Sequence, residues 1–205
     1  MHPASPSRVC QKATPVFAIA ELIVHPMTQA GPAGRVVAEL DWPPGRSDLL
    51  LCYRVEGDIS SLRVPRPADR VQTDGLWQHT CFEMFLRPER SDAYFEFNFS
   101  PSGAWAAYGF TSRRSGMRSL EGLAAPHVVC SPAVHRLEAR VTLDLATVLD
   151  GSTVVDIGLS AVLEDDAGER SCWALAHRSA KPDFHDPDTF ALTIAPPGCR
   201  REPVP

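Results

Sequence analysis

The 205-residue sequence predicts an all-β protein, an antiparallel β-sandwich of about nine or ten strands. Short segments of alternating apolar and polar residues recur along the chain. Gly, Pro and Asp turns separate them at close intervals, and no long amphipathic helix interrupts the series. A chain of this length buries roughly 70% of its unfolded surface, so it needs neither disulfide nor metal to hold its fold.

The elements follow in order. Residues 1–15 are rich in Pro and Ser and read as a flexible segment. Residues 16–25, 35–42 and 49–57 read as strands, the first two separated by a Gly-Pro loop. Residues 58–75 are polar, carry Pro65 and Pro67, and read as a crossing loop. Residues 76–110 read as three consecutive strands, and 111–125 as a long connection with room for one helical turn. Further strands are expected at 126–131, 134–143, 153–163, 172–177 and 188–195. Residues 143–149 have room for a short helix before a turn at Asp150-Gly151. One domain is thus expected over 16–195, with a frayed tail at 196–205.

The composition sets bounds on function. The net charge is −5, from 20 basic and 25 acidic residues, and the scattered Arg residues form no stripe, so nucleic acid is not an expected partner. No apolar stretch approaches the ~20 residues of a membrane-spanning helix. Residues 1–26 lack a charged start followed by a long apolar core, so no signal peptide is expected. The six cysteines contain no C-x-x-C pair and several sit within strand patterns. They read as reduced core residues of a cytoplasmic protein.

The central block carries the function. In residues 94–99, Phe95, Phe97 and Phe99 share one face, and Tyr94, Glu96 and Asn98 the other. In residues 81–86, Phe82, Met84 and Leu86 oppose Cys81, Glu83 and Phe85. Register must bury both apolar sets, so Glu83 joins Glu96 and Asn98, with Glu96 or Asn98 directly opposite it. Ser100-Pro101-Ser102-Gly103 has Pro and Gly where a tight turn wants them, so Trp105 returns beside Asn98, while Ala106, Tyr108 and Phe110 face the core. By parity, His79 and Trp77 join the polar face. A face of Trp77, His79, Glu83, Glu96, Asn98 and Trp105 suits a carbohydrate or other small polar ligand. Aromatic rings stack on the C–H faces of sugars, and carboxylates and amides meet their hydroxyls. Glycoside hydrolysis is a second reading of the two carboxylates, which need a separation of roughly 5–10 Å.

Residues 172–190 form a second constellation. Trp173, Leu175 and His177 alternate on a strand face, followed by a loop bearing Lys181, Asp183, Phe184, His185 and Asp186. His177, Asp183, His185 and Asp186 match no fixed metal spacing, so no metal is assigned. The loop reads as a cover over the edge of the polar face, with Lys181 and His185 reaching the ligand. Glu164-Asp165-Asp166 with Gly168 reads as a hairpin tip, without a twelve-residue calcium-loop pattern.

Residues 76–110 together with 173–194 resemble the bacterial DOMON-like proteins, a group similar to the family 9 carbohydrate-binding modules. The resemblance implies a jelly-roll β-sandwich that binds sugars or haem without catalysis. It places Trp77 and Glu83 at the ligand grip, Glu96 and Asn98 as a further polar pair, and Trp173 or Phe184 as a second stacking aromatic. Sugar-binding relatives often carry Arg where this chain has Asn98. No cofactor is assigned, and the haem alternative would need Met117 with His79, His177 or Lys181, since Met84 faces the core.

Overall fold

The computed structural model describes residues 16–149 and 154–196. The flexible N-terminal segment, the Asp150-Gly151 turn and the tail from 197 onward lie outside the described residues, as do Cys10 and Cys199. Twelve strands are present among the described residues: β1 (Val16–Val24), β2 (Ala33–Trp42), β3 (Asp48–Gly57), β4 (Cys81–Pro88), β5 (Tyr94–Phe99) and β6 (Trp105–Phe110), then β7 (Arg118–Ser119), β8 (His127–Ala133), β9 (Arg136–Asp144), β10 (Val155–Glu164), β11 (Arg170–Ala174) and β12 (Leu192–Ile194). The count exceeds the expected nine or ten, and the stretch 111–125, expected as a connection, contributes the two-residue β7. Instead of a strand, residues Pro187–Thr189 form a single 3₁₀ turn, with Asp186 accepting from the Asp188 amide as its cap.

Every ladder is antiparallel, and the order is β7-β6-β5-β4-β10-β11-β1-β2-β3-β9-β8, with β12 also on β10. The strands form two sheets that share β1. Its first seven residues pair with β2, and its last two, Ile23 and Val24, pair with Ala174 and Trp173 of β11. The sheets face one another across a core of alternating apolar residues. Phe82, Met84, Phe97 and Phe99 from one sheet meet Leu40, Leu51, Tyr53 and Val55 from the other. Tyr53 stacks on Phe82 with ring centroids 5.0 Å apart and donates its hydroxyl to the Glu83 carbonyl at 2.7 Å. Burying each such side chain stabilises the fold by roughly 1.5–3 kcal/mol.

The expected β4–β5 pairing is present, and Glu83 lies directly opposite Asn98. The crossing loop ahead of β4 runs along the β6 edge, where Val71 O accepts from Trp105 N and Thr73 N donates to Trp105 O. Those bonds leave less of the edge open to another chain. Two close approaches require glycine. At Gly57, in positive-φ backbone, a Cβ would stand 2.2 Å from the Pro32 carbonyl oxygen. At Gly158 it would stand 2.7 Å from Phe190 Cδ1.

Candidate functional site

Behind the sheet that carries β4, the face turned away from the main core holds a second set of buried residues. Glu83 and Asn98 sit in one row with Ser160 and Ala106, and Glu96 sits in the next with Phe85, Gly158 and Tyr108. Phe85, Tyr94, Ala106, Tyr108, Phe110 and Phe190 pack there as a separate apolar cluster. Gly158 makes the space in which Phe190 stacks on Phe85, with centroids 5.6 Å apart.

Part of this face stays open as a cavity of about 760 Å³. Its floor includes Glu83, Glu96, Tyr108 and Val162, and its walls are Trp77, Phe110, Arg114, Met117, Phe184 and His185. Glu169 and Arg170 stand at the hairpin end, and the Asp165–Gly168 turn closes that hairpin as the sequence suggests. Two loops meet over the cavity through charge: Arg113 and Arg114 each donate to Asp183, at 2.6 and 2.8 Å.

The two floor carboxyls are almost fully buried, Glu83 at 2% and Glu96 at 5% exposure. Burial drives the Glu83 carboxyl well above the usual carboxylate range; the Glu96 charge adds to this, and the hydrogen bond from Ser160 opposes it. Glu96 is also raised by burial, against the hydrogen bond from Asn98 and the charge of Arg114. Asn98 Nδ2 donates to Glu96 Oε1 at 2.7 Å, whereas Glu83 Oε2 accepts only a 3.3 Å bond from Ser160 Oγ among the described residues. Tyr94 Oη accepts from the Arg114 amide at 3.1 Å and contacts His185 Nδ1 at 2.8 Å. His185 Nε2 faces Glu96 Oε2 at 3.6 Å. Burial, then the charge of Arg114, lowers the His185 ring to about 4, so it is neutral near pH 7.

Of the residues singled out from the sequence, Trp77, Glu83, Glu96 and His185 line this cavity, and Asn98 is buried behind it on Glu96. Trp105 does not join them. The β5–β6 connection is a three-residue loop, with Ser100 N bonded to Ala104 O and Gly103 at φ 95°. An odd loop shifts the parity, so Trp105 lies opposite Phe99 and points into the main core, its Nε1 without a partner. The same shift turns Ala106, Tyr108 and Phe110 to the acidic face rather than the core. Trp173 likewise faces the main core, opposite Ala161, and its Nε1 donates to Ser171 Oγ at 2.9 Å. His79 follows a 3₁₀ turn over Leu76–Gln78 that breaks the strand parity, and its ring bonds Glu164 at 2.8 Å, outside the cavity lining. Lys181 is exposed, and the neighbouring Pro182 and Phe184 line the cavity instead. Met84 is fully buried in the main core. Of the haem-ligand candidates, Met117 lines the cavity while His79, His177 and Lys181 do not, so the structure does not assemble the expected pair there. Tyr108 and Phe110 were legible given an odd loop; Arg114 left no signal in its polar connection.

No protein-family model matches the chain, and comparison with curated proteins finds no match. Among solved structures, one neighbour is a protein from Bacteroides uniformis ATCC 8492 described as a candidate carbohydrate-binding protein. It is 14% identical, with a TM-score of 0.57 and 84% of each chain covered. Another is a family 9 carbohydrate-binding module from Caldicellulosiruptor kristjanssonii in complex with cellotriose. It is 11% identical, with a TM-score of 0.53, and the match covers 92% of this chain and 87% of that one. The fold is therefore that of these β-sandwich modules.

Proposed function

We propose that this protein is a non-catalytic binding module for a carbohydrate or sugar-like ligand, held in the cavity between Trp77 and the Glu83–Glu96 floor. One observation carries the reading. Two buried carboxyls lie in a concave site whose walls include Trp77, Phe110 and Phe184, with Tyr108 on its floor. Such a surface offers both stacking faces and hydrogen-bonding groups to a polyhydroxylated ring. Trp77 is about half exposed at 49%, available to a ligand in a way that a core residue is not. The neighbours that share this fold are described as binding carbohydrate, which supports the same assignment. Kinship with the DOMON-like proteins belongs to this proposal, supported by the motif pattern of residues 76–110. A cytoplasmic setting belongs to it too, supported by the free thiols of Cys52, Cys81, Cys130 and Cys172.

Calorimetric titration with soluble sugars and cell-wall fragments tests it. The wild type is expected to bind at least one, and a Trp77→Ala, Glu83→Ala double variant to bind none. A wild type that binds nothing across a broad panel overturns the reading. So does steady turnover of a chromogenic glycoside that Glu83→Gln abolishes.

A further inference from the structure

Glu83 and Glu96 stand out because, among the described residues, no Lys or Arg forms an ion pair with either. The β4–β5 register sets them on diagonal positions of one face, where side-chain origins lie roughly 7–8 Å apart. Both are more than nine-tenths buried, and both line the cavity rather than the packed core. No Lys or Arg pairs with either carboxyl within salt-bridge distance among the described residues. Arg114, which lines the cavity, pairs with Asp183. Arg170, at the mouth, reaches the Gln78 carbonyl at 3.4 Å and lies beside Glu169. The imidazole of His185 faces Glu96 at 3.6 Å. Buried acids are ordinarily paired with a cation, whereas these two accept only from the neutral Asn98 and Ser160 side chains and line an open cavity.

Resting on the carbohydrate-binding reading, we infer that the cavity selects a ligand bearing a protonated amine, an amino sugar rather than a neutral one, with the ammonium seated between Glu83 and Glu96. Its N–H groups have acceptors on both sides, and charge-assisted bonds of this kind are roughly twice as strong as neutral ones. Tyr108 and Phe110 line the same cavity, and aromatic rings are favourable neighbours for a cation. A neutral hydroxyl in the same place would bring no charge to offset ionisation of either acid.

The test compares matched pairs on the full chain at pH 7 by calorimetry: D-glucosamine against D-glucose, and the chitosan trimer against cellotriose. The amine member is expected to bind about tenfold or more tightly. That preference should vanish in Glu83→Gln and Glu96→Gln, each checked for folding by its thermal transition. Equal affinity within each pair, or a preference unchanged in both variants, overturns the inference and leaves sugar binding standing. Simple alkyl amines such as cadaverine binding as tightly as glucosamine overturn the sugar reading instead, while the amine-seating role of the two acids survives. No binding by any of these ligands overturns the inference.

Discussion

His185 Nε2 stands 3.6 Å from Glu96 Oε2, while its Nδ1 contacts the Tyr94 hydroxyl at 2.8 Å. The hydroxyl also accepts from the Arg114 amide, and assigning its own proton to Nδ1 leaves the proton of the neutral ring on Nε2, toward the acid. A loop residue is thereby tied to a sheet carboxyl and to the connection after β6.

Acid should loosen this arrangement through His185. Its proton affinity is lowered in the fold to about 4, so the unfolded chain takes up a proton first. Stability from this group is complete above about pH 6.5 and is lost as pH falls toward 4, by about 3 kcal/mol in all. Replacing His185 by Gln is expected to flatten the acid side of the profile of unfolding free energy against pH, measured in urea.

Glu83 acts with the opposite sign. Its carboxyl is raised in the fold, so the native state holds its proton longer than the unfolded state does. The protein should lose stability from this group as pH rises above the usual carboxylate range near 4.5. Glu83→Gln is therefore expected to raise Tm at pH 8 by about 2–4 °C for each kcal/mol recovered. Little difference should remain at pH 4, as scanning calorimetry at the two pH values would show.

The two tryptophans of the central block should separate cleanly. Trp105 is buried in the main core, so Trp105→Ala is expected to cost about 3–5 kcal/mol in chemical denaturation. Trp77→Ala should change stability by no more than about 0.5 kcal/mol, since the ring is half exposed, while removing ligand affinity. The reverse pattern would show that the cavity wall has been misassigned.

Gly158→Ala would drive a methyl group against Phe190 Cδ1, 2.7 Å away. A loss of about 1–3 kcal/mol is expected. Phe190→Leu in the same chain should recover part of it, giving a measurable coupling in a double-mutant cycle.

Asp183 joins the loop after β6 to the loop before β12 through Arg113 and Arg114, both largely exposed. Asp183→Ala is expected to cost less than about 1 kcal/mol of global stability. Amide exchange over residues 111–117 should nevertheless accelerate, because the charged tether is gone. Hydrogen-exchange mass spectrometry reads both.

The alternation of Phe95, Phe97 and Phe99 against Glu96 and Asn98 was enough to set β5 and its pairing with β4, because a slip by one residue would bury the acids in the main core. The class of fold was legible for the same reason. The third strand was not, since its parity depended on whether the Ser100–Gly103 turn counts three or four residues, and both lengths suit Pro and Gly there. Two of the misplaced residues trace to such local counting, Trp105 to the turn and His79 to the 3₁₀ step before β4. Trp173 shows a different limit: alternation identifies two faces of β11 but does not tell which one the partner sheet covers. Arg114 reaches the cavity from an irregular loop, where no period relates sequence to direction, and Met117 and Phe184, in similar loops, were singled out by the family resemblance alone.

The ladder between β4 and β10 joins Glu83 to Ser160, 77 positions later in the chain. During synthesis, β4 leaves the ribosome long before the strand that must lie beside it. Until then its flank is an open template for stray partners, and closing the long loop is slow. The β5–β6 hairpin can protect one side early; the other waits for β10. The ligand cavity is thus a late product of translation, and fragments that stop before residue 155 lack the strand that completes its floor.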